Sequence, residues 1–323
     1  MSSKMSLVLV AVGVFSMLFV SGCGPSADLS LKFSSDRTTS YKATAEATKL
    51  FRFEQPNLDK LKEEQTKTLI EMDFTQMIQA VDADGNATAQ ITINDLKVEM
   101  ISKNESQLSF DSQKESDKDA PLATLLGKSY TIQITPSGQV KALDTKNAMA
   151  AVTSAYEKKI VKSLLDPKEI AERHQVTALP KDPADELSVE DTWSEIVASP
   201  PGLLAPKSYE KTYTLTTIDA EVATVKMTAG ESAVPAKGGS QAAGGMGMFA
   251  KMFDNQDDFT GTLKFDMATG EVLSSTETLI STYTAQEMPE NGDPDKGPMR
   301  RLRDVASIPQ GKSGTVTIDF QGQ

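Results

Sequence analysis

Cysteine is almost missing from this chain. Cys23 is the only one in 323 residues, so no disulfide can form within the chain and the fold rests on its core alone. Histidine is as scarce. With His174 alone and no second cysteine, a His/Cys zinc site is excluded in the monomer. Only one imidazole is available for proton transfer, and no Gly-x-Ser-x-Gly elbow accompanies it, so no enzyme, no cofactor and no metal site is expected. Aromatic residues make up 6% and Trp193 is the only tryptophan, which is expected as a core anchor. Positive charge is also in deficit, with a formal net charge of −12. Such a chain repels phosphate backbones, which argues against a nucleic-acid partner, and it repels anionic lipid headgroups.

Long apolar runs are missing too, with one exception from Leu7 to Val20, in which Ser16 is the only polar side chain. Lys4 precedes it and Val20-Ser21-Gly22-Cys23 ends it. A charged start, an apolar centre and small residues before a cut make a secretory signal, and the run is short for a permanent membrane span. Aliphatic-small-small-Cys resembles the bacterial lipobox, which implies that the Cys23 thiol receives diacylglycerol before cleavage. Residues 1–22 are then a lipoprotein signal peptide, and residues 23–38 a lipidated N-terminus and tether with a short strand at Leu29–Phe33. Acyl chains such as palmitate would hold the protein to the membrane. Gly24, rather than Asp, follows the cysteine. By the enteric sorting rule this implies the outer membrane, facing the periplasm.

Residues 39–323 read as a single large domain. Ile70, Met72 and Phe74 alternate with Glu71, Asp73 and Thr75, the period of a half-buried strand. Asp84-Gly85-Asn86 marks a tight turn. The following strand changes phase, with Ala89, Ile91 and Ile93 odd but Leu96, Val98 and Met100 even, so a bulge is expected at Asn94-Asp95. A second hairpin is expected at Ser137-Gly138, between Tyr130/Ile132/Ile134 and Val140. Later strands are marked by Tyr213/Leu215, Val225/Met227, Phe259/Leu263/Phe265/Met267 and Val316/Ile318/Phe320.

Helical spacing appears between the two runs of strands, at Met149, Val152, Tyr156, Ile160 and Leu164. Asp166-Pro167-Lys168-Glu169 then supplies a cap, a first-position proline and an acidic third residue. Ala120–Leu126 is expected as a short helix. The fold class that follows is α+β: a curved antiparallel sheet, like an open half-barrel, with helices packed on one side. Insertions are expected near 228–255, which is Gly- and Ala-rich, and 287–297, which is Pro- and acid-rich.

Several chemical motifs dissolve on inspection. Asp82-Ala83-Asp84-Gly85-Asn86 places Gly fourth rather than sixth, with Ile93 where a calcium loop needs a bidentate Glu, so a hairpin is preferred. Gly127-Lys128-Ser129 and Gly311-Lys312-Ser313 lack the earlier glycine of a phosphate loop and read as turns. Met246, Met248, Phe249, Met252 and Phe253 form the oddest cluster. They read as a helix face covering the core, as an adaptable apolar lid or partner surface, or as thioether ligands for Cu(I).

The stretch Val81–Met100, Ser109-Phe110-Asp111-Ser112, Gly127–Leu143, Leu179-Pro180 and Val189-Glu190-Asp191-Thr192-Trp193 together resemble a family of uncharacterised bacterial lipoproteins. That family commonly carries Gly where Glu190 stands. The sheet-and-helix layout is similar in architecture to the LolA/LppX-like lipoprotein and lipid carriers, whose half-barrel holds an acyl chain. The family resemblance implies localisation and fold; the functional reading is a membrane-anchored lipoprotein that binds an apolar ligand or lipid between the concave face of the sheet and the helices, with the Met/Phe segment Met246–Phe253 as its lid. The alternative is a structural or interaction lipoprotein with a filled core and an envelope protein partner. A ligand site of the usual kind would show an apolar cavity of several hundred Å3, whereas a filled core would leave none.

Overall fold

The computed structural model describes residues 26–55, 60–151, 160–162, 164–182, 186–200, 207–236, 253–285 and 316–322. Cys23, Met246, Met248, Phe249 and Met252, the Gly311-Lys312-Ser313 turn and the 287–297 insertion lie outside the described residues. Phe253 is described only as the first residue of a strand.

Strands dominate. The described residues open with a two-residue strand, β1 (Ser26–Ala27), paired with β8 (Leu187–Ser188). One 12-stranded sheet, not closed into a barrel, takes the rest. Its first block holds β2 (Thr38–Gln55), β3 (Lys60–Val81), β4 (Ala87–Ser102), β5 (Glu105–Asp111), β6 (Ser129–Ile134) and β7 (Val140–Asp144). Its second holds β9 (Thr192–Ala198), β10 (Ser208–Asp219), β11 (Val222–Ser232), β12 (Phe253–Asp266) and β13 (Glu271–Ala285). The last strand, β14 (Val316–Gly322), lies between β2 and β13 and joins the blocks. Every pairing is antiparallel.

The expected fold class holds, and so do its local signals. Gly85 and Gly138 take φ of +81° and +77° in the two expected hairpins. In the β3–β4 ladder Phe74 faces Ile93 and Asp73 faces Asp95, so Asn94 is the extra residue of a bulge. The bulge returns Leu96 and Val98 to the buried face already held by Ala89, Ile91 and Ile93. The 228–255 insertion is narrower than expected, because β11 continues to Ser232 and β12 starts at Phe253.

Helices cover one face of the first block. The helix α1 (Lys146–Ala150) and the helical residues 160–162 and 164–165 bury Ala148, Val161, Leu164 and Leu165. In α2 (Pro167–His174), Asp166 caps the start by accepting from the Lys168 amide at 3.0 Å, with Pro167 at the first position. Ala120–Leu126 forms a 3-10 turn over Pro121–Leu125 rather than an α-helix; Leu122 and Leu125 insert into the core. Among the described residues no helix is long and apolar enough to cross a membrane.

The core divides into two clusters, one under each block, and Leu31 touches both. Here one expectation fails. Leu29–Phe33 is not a strand, and the segment from Ser26 onward is not a free tether. Ala27 is 0% exposed and Leu29 1% exposed, both packed against the second block. The Leu31 amide bonds the Pro136 carbonyl at 2.8 Å and that of Lys32 bonds Gly270 at 3.1 Å. With neither neighbour a strand, the segment crosses the inner face as a plug. The outer face is solvated and carries ion pairs such as Lys67 with Glu99 and Lys97 with Glu71, of the kind that contribute little to stability.

Glu190 adopts φ of +76°, the left-handed region in which glycine is at ease. Its amide bonds the Leu215 carbonyl at 2.8 Å and its side chain is exposed. Glu190→Gly should therefore stabilise the protein by about 0.5–1 kcal/mol, the left-handed penalty less the entropy glycine gains on unfolding, as read by denaturant titration. In contrast, Ile318→Pro removes an amide donor from the strand between the two blocks. It should cost about 3 kcal/mol or more, read as a lower urea midpoint.

Candidate functional site

Between β2 and β13 the sheet is seamed by β14 from Tyr41 to Ala47 and from Ser274 to Thr278. Above Tyr41 and Ser274 no strand fills the seam among the described residues. There a cleft of about 70 Å3 opens. Tyr41 and Phe74 form its floor, their ring centroids 5.7 Å apart. Leu31 and Phe33 of the plug, Ile78, Ile134, Val176 and Val272 form its walls, and His174 stands at the back. The period of two on β2 and β3 places Tyr41, Phe74 and Ile78 on one face.

The rim is polar but already satisfied. Arg37 bonds Glu271 at 2.6 Å and Thr39 donates to the same carboxylate at 3.2 Å. Lys32 pairs with Asp28 at 3.3 Å and donates to the Met267 carbonyl at 3.1 Å. Burial, followed by the nearby Glu271 carboxylate, pushes the Tyr41 hydroxyl up to about 12, so it stays neutral. The plug crosses close to the turn at Gly270, where a Cβ would sit 2.5 Å from Lys32, and only glycine permits that approach.

His174 is the last residue of α2 and is buried. Its ring meets Phe74 edge-on at 4.8 Å. The Tyr130 hydroxyl lies 2.6 Å from Nε2. Burial raises the Tyr130 pKa, so that group keeps its proton, and the two side chains share one hydrogen bond whose direction follows the imidazole tautomer. Burial first, and then the Arg173 guanidinium, hold the His174 pKa well below 6.5. A neutral, hydrogen-bonded histidine beside aromatic rings thus forms part of the wall of the cleft.

A second polar cluster lies on the inner face of the second block. Lys211 is 5% exposed and pairs with Glu277 at 2.7 Å; Thr177 donates to the other oxygen of that carboxylate at 3.0 Å. Tyr213 stacks on Trp193 at 5.9 Å and donates to Glu195 at 3.1 Å. Its pKa is raised strongly by burial and then by Glu277 and Glu195. Asp257 accepts from Tyr209 at 2.9 Å, Ser281 at 2.5 Å, Asn255 at 2.9 Å and Lys207. These carboxylates spend their acceptors on the protein itself. They tie Thr177 and β13 to β10 and brace the start of β12 against β10.

Sequence reasoning read Asp82–Asn86 and Gly127-Lys128-Ser129 as turns, whereas Trp193, expected as a core anchor, is only half-buried on the edge strand β9, packed against the margin of the second cluster. Asp82 indeed closes its own loop on the Asp84 and Asn86 amides at 3.0 and 2.9 Å. It missed the cleft, because Arg37, Phe74, His174 and Val272 come from distant parts of the chain. Among the described residues no three His, Cys, Asp or Glu side chains are placed to hold a metal ion.

A family model described as a family of unknown function (DUF6263) matches residues 84–272, more than half of the chain. The match takes in Ile134, His174, Val176 and the Gly270 turn of the cleft, but not Tyr41 or Phe74. No curated protein matches the chain. A solved structure described as lipid-protein interactions in lipovitellin is similar with a TM-score of 0.47 and 10% identity, over 90% of this chain and 25% of that one. The chain thus spans about a quarter of that protein's length.

His174 makes stability depend on pH. The unfolded histidine protonates below about 6.5 while the folded one resists, so the unfolded state binds more protons as pH falls. Each unit below 6.5 should remove up to about 1.4 kcal/mol until the folded group itself titrates. Asp257 acts in a separate, lower window. Burial pushes its pKa up, but hydrogen bonds from Lys207, Ser281, Asn255 and Tyr209 outweigh this and hold it below 3.8. Its contribution is present above that value and lost below it. Unfolding midpoints from pH 7 to 5 should fall in the parent protein and stay flatter in His174→Asn.

Proposed function

The chain belongs to the family of unknown function DUF6263, and we propose that it is an acyl-anchored, exported lipoprotein that takes one end of an apolar ligand into the seam cleft. The observation that carries this reading is the cleft itself, an opening walled by Leu31, Phe33, Phe74, Ile78 and Val272 where β14 stops short of the start of β2 and β13. Its volume exceeds that of a single water by several-fold and falls short of the roughly 300–1,000 Å3 of a site that swallows a whole ligand. A chain terminus or a small ring fits those limits. The rim charges are paired, Arg37 with Glu271 and the half-exposed Lys32 with Asp28, so recognition rests mainly on apolar contact. Export and anchoring are supported by Lys4, the Leu7–Val20 run and the Val20-Ser21-Gly22-Cys23 motif.

A second reading is favoured by the close packing elsewhere. The plug and helices fill the inner face, with Ala27, Leu29, Ile132 and Phe265 almost fully buried. On that reading the protein is an interaction lipoprotein of the envelope, and the cleft is a packing defect.

The two separate in one experiment. A Cys23→Ala protein, exported without its lipobox, is examined by native mass spectrometry and then titrated with a fluorescent acyl probe. The ligand reading expects an organic-extractable mass or saturable probe uptake. It also expects roughly tenfold weaker uptake in Val272→Trp, which fills the cleft, at an unchanged circular dichroism spectrum. A bare polypeptide that takes up no probe would establish the filled-core reading instead.

A further inference from the structure

The chain enters its core almost directly from the anchor position. Ser26 pairs with Ser188, and Ala27 is already fully buried. Cys23 stands three residues before Ser26, a reach of about 10 Å at full extension. Leu31, which lines the cleft, stands eight residues after Cys23, so about 29 Å bounds the distance from anchor to cleft.

The entry point and the cleft share one end of the sheet. The Asp191 amide bonds the Ser188 carbonyl at 3.0 Å, which sets β1 and β8 beside the start of β9 at Thr192. That end also holds the start of β2 and β13 and the hairpins at 82–86 and 219–222. The opposite end holds the β4–β5 hairpin at Lys103-Asn104.

We infer that the end of the sheet carrying the cleft rests on the surface of the bilayer that holds the anchor, and that the cleft exchanges the acyl chain of a membrane lipid with that bilayer. The inference rests on the anchored, ligand-binding reading above and adds an orientation and a source of ligand. Charge selects the kind of surface. Asp82, Asp84, Glu190, Asp219 and Glu221 are exposed at this end. The basic side chains beside the cleft, Lys32 and Arg37, are committed to Asp28 and Glu271. An acidic end is repelled by anionic headgroups, so the surface is zwitterionic. The lipid carries no net charge for the same reason, since a charged head would have to break the 2.6 Å Arg37–Glu271 pair.

The test uses the full acylated chain in phosphatidylcholine vesicles that carry a headgroup nitroxide. Because acylation consumes the Cys23 thiol, a dye can be placed on Ala83→Cys or Glu221→Cys at the cleft end, or on Ser106→Cys at the other. Flotation with the vesicles establishes the anchor. Quenching several-fold stronger at 83 and 221 than at 106 is expected. A Gly/Ser insert of about 20 residues between Pro25 and Ser26, with a root-mean-square span near 25 Å, should erase the difference. Flotation with equal quenching, or with stronger quenching at 106, overturns the orientation and leaves the anchor standing. Failure to float overturns the anchor and the orientation together.

Discussion

One strand holds this sheet together. β2 and β13 do not pair with each other, and β14 bonds to both. Each backbone group along an unfilled seam would need water or another partner. The last described strand therefore decides whether the chain forms one layer or two. The plug reinforces the join from the inner side, because Leu31 packs on both core clusters and the Lys32 amide bonds the Gly270 turn. The Arg37–Glu271 pair closes it at the end that β14 does not reach. First and last segments meet at the same seam, so local folding of either block leaves the sheet unfinished.

The cleft is a consequence of that join. It occupies the short stretch where β14 has ended and where side chains, not backbone ladders, bridge β2 and β13. Its walls are apolar because they belong to strand faces that would otherwise be core, and its rim is polar because it is the strand ends. The partly buried Lys211–Glu277 and Lys207–Asp257 pairs serve a different purpose. Their carboxylates are saturated by Thr177, Tyr209, Ser281 and Asn255, so they fix register and position rather than bind. A paired charge of this kind is costly to break and adds little when intact.

Much of the local structure was legible residue by residue. The phase change between Ile93 and Leu96 announced the bulge at Asn94, since a strand that must keep its apolar set inward has no other means of shifting phase. Asp166-Pro167 announced the start of α2. Glu190, at a position the resembled family commonly gives to Gly, sits at positive φ. The short apolar stretch Leu29–Phe33 misled, because buried plugs and buried strands have the same composition and differ only in what lies beside them.

The sequence by itself determined the antiparallel, sheet-rich class, the hairpins, the bulge and the start of α2. Each of these depends on neighbours within a few residues, where periodicity and turn chemistry act. The tertiary structure alone decided that the final strand sits between β2 and β13, that Ser26–Phe33 runs through the core, and that an apolar cleft remains at their meeting point. Those outcomes join β14 to β2 and Arg37 to Glu271, more than 200 positions apart, through hydrogen bonds and packing that carry no periodic signature in the chain.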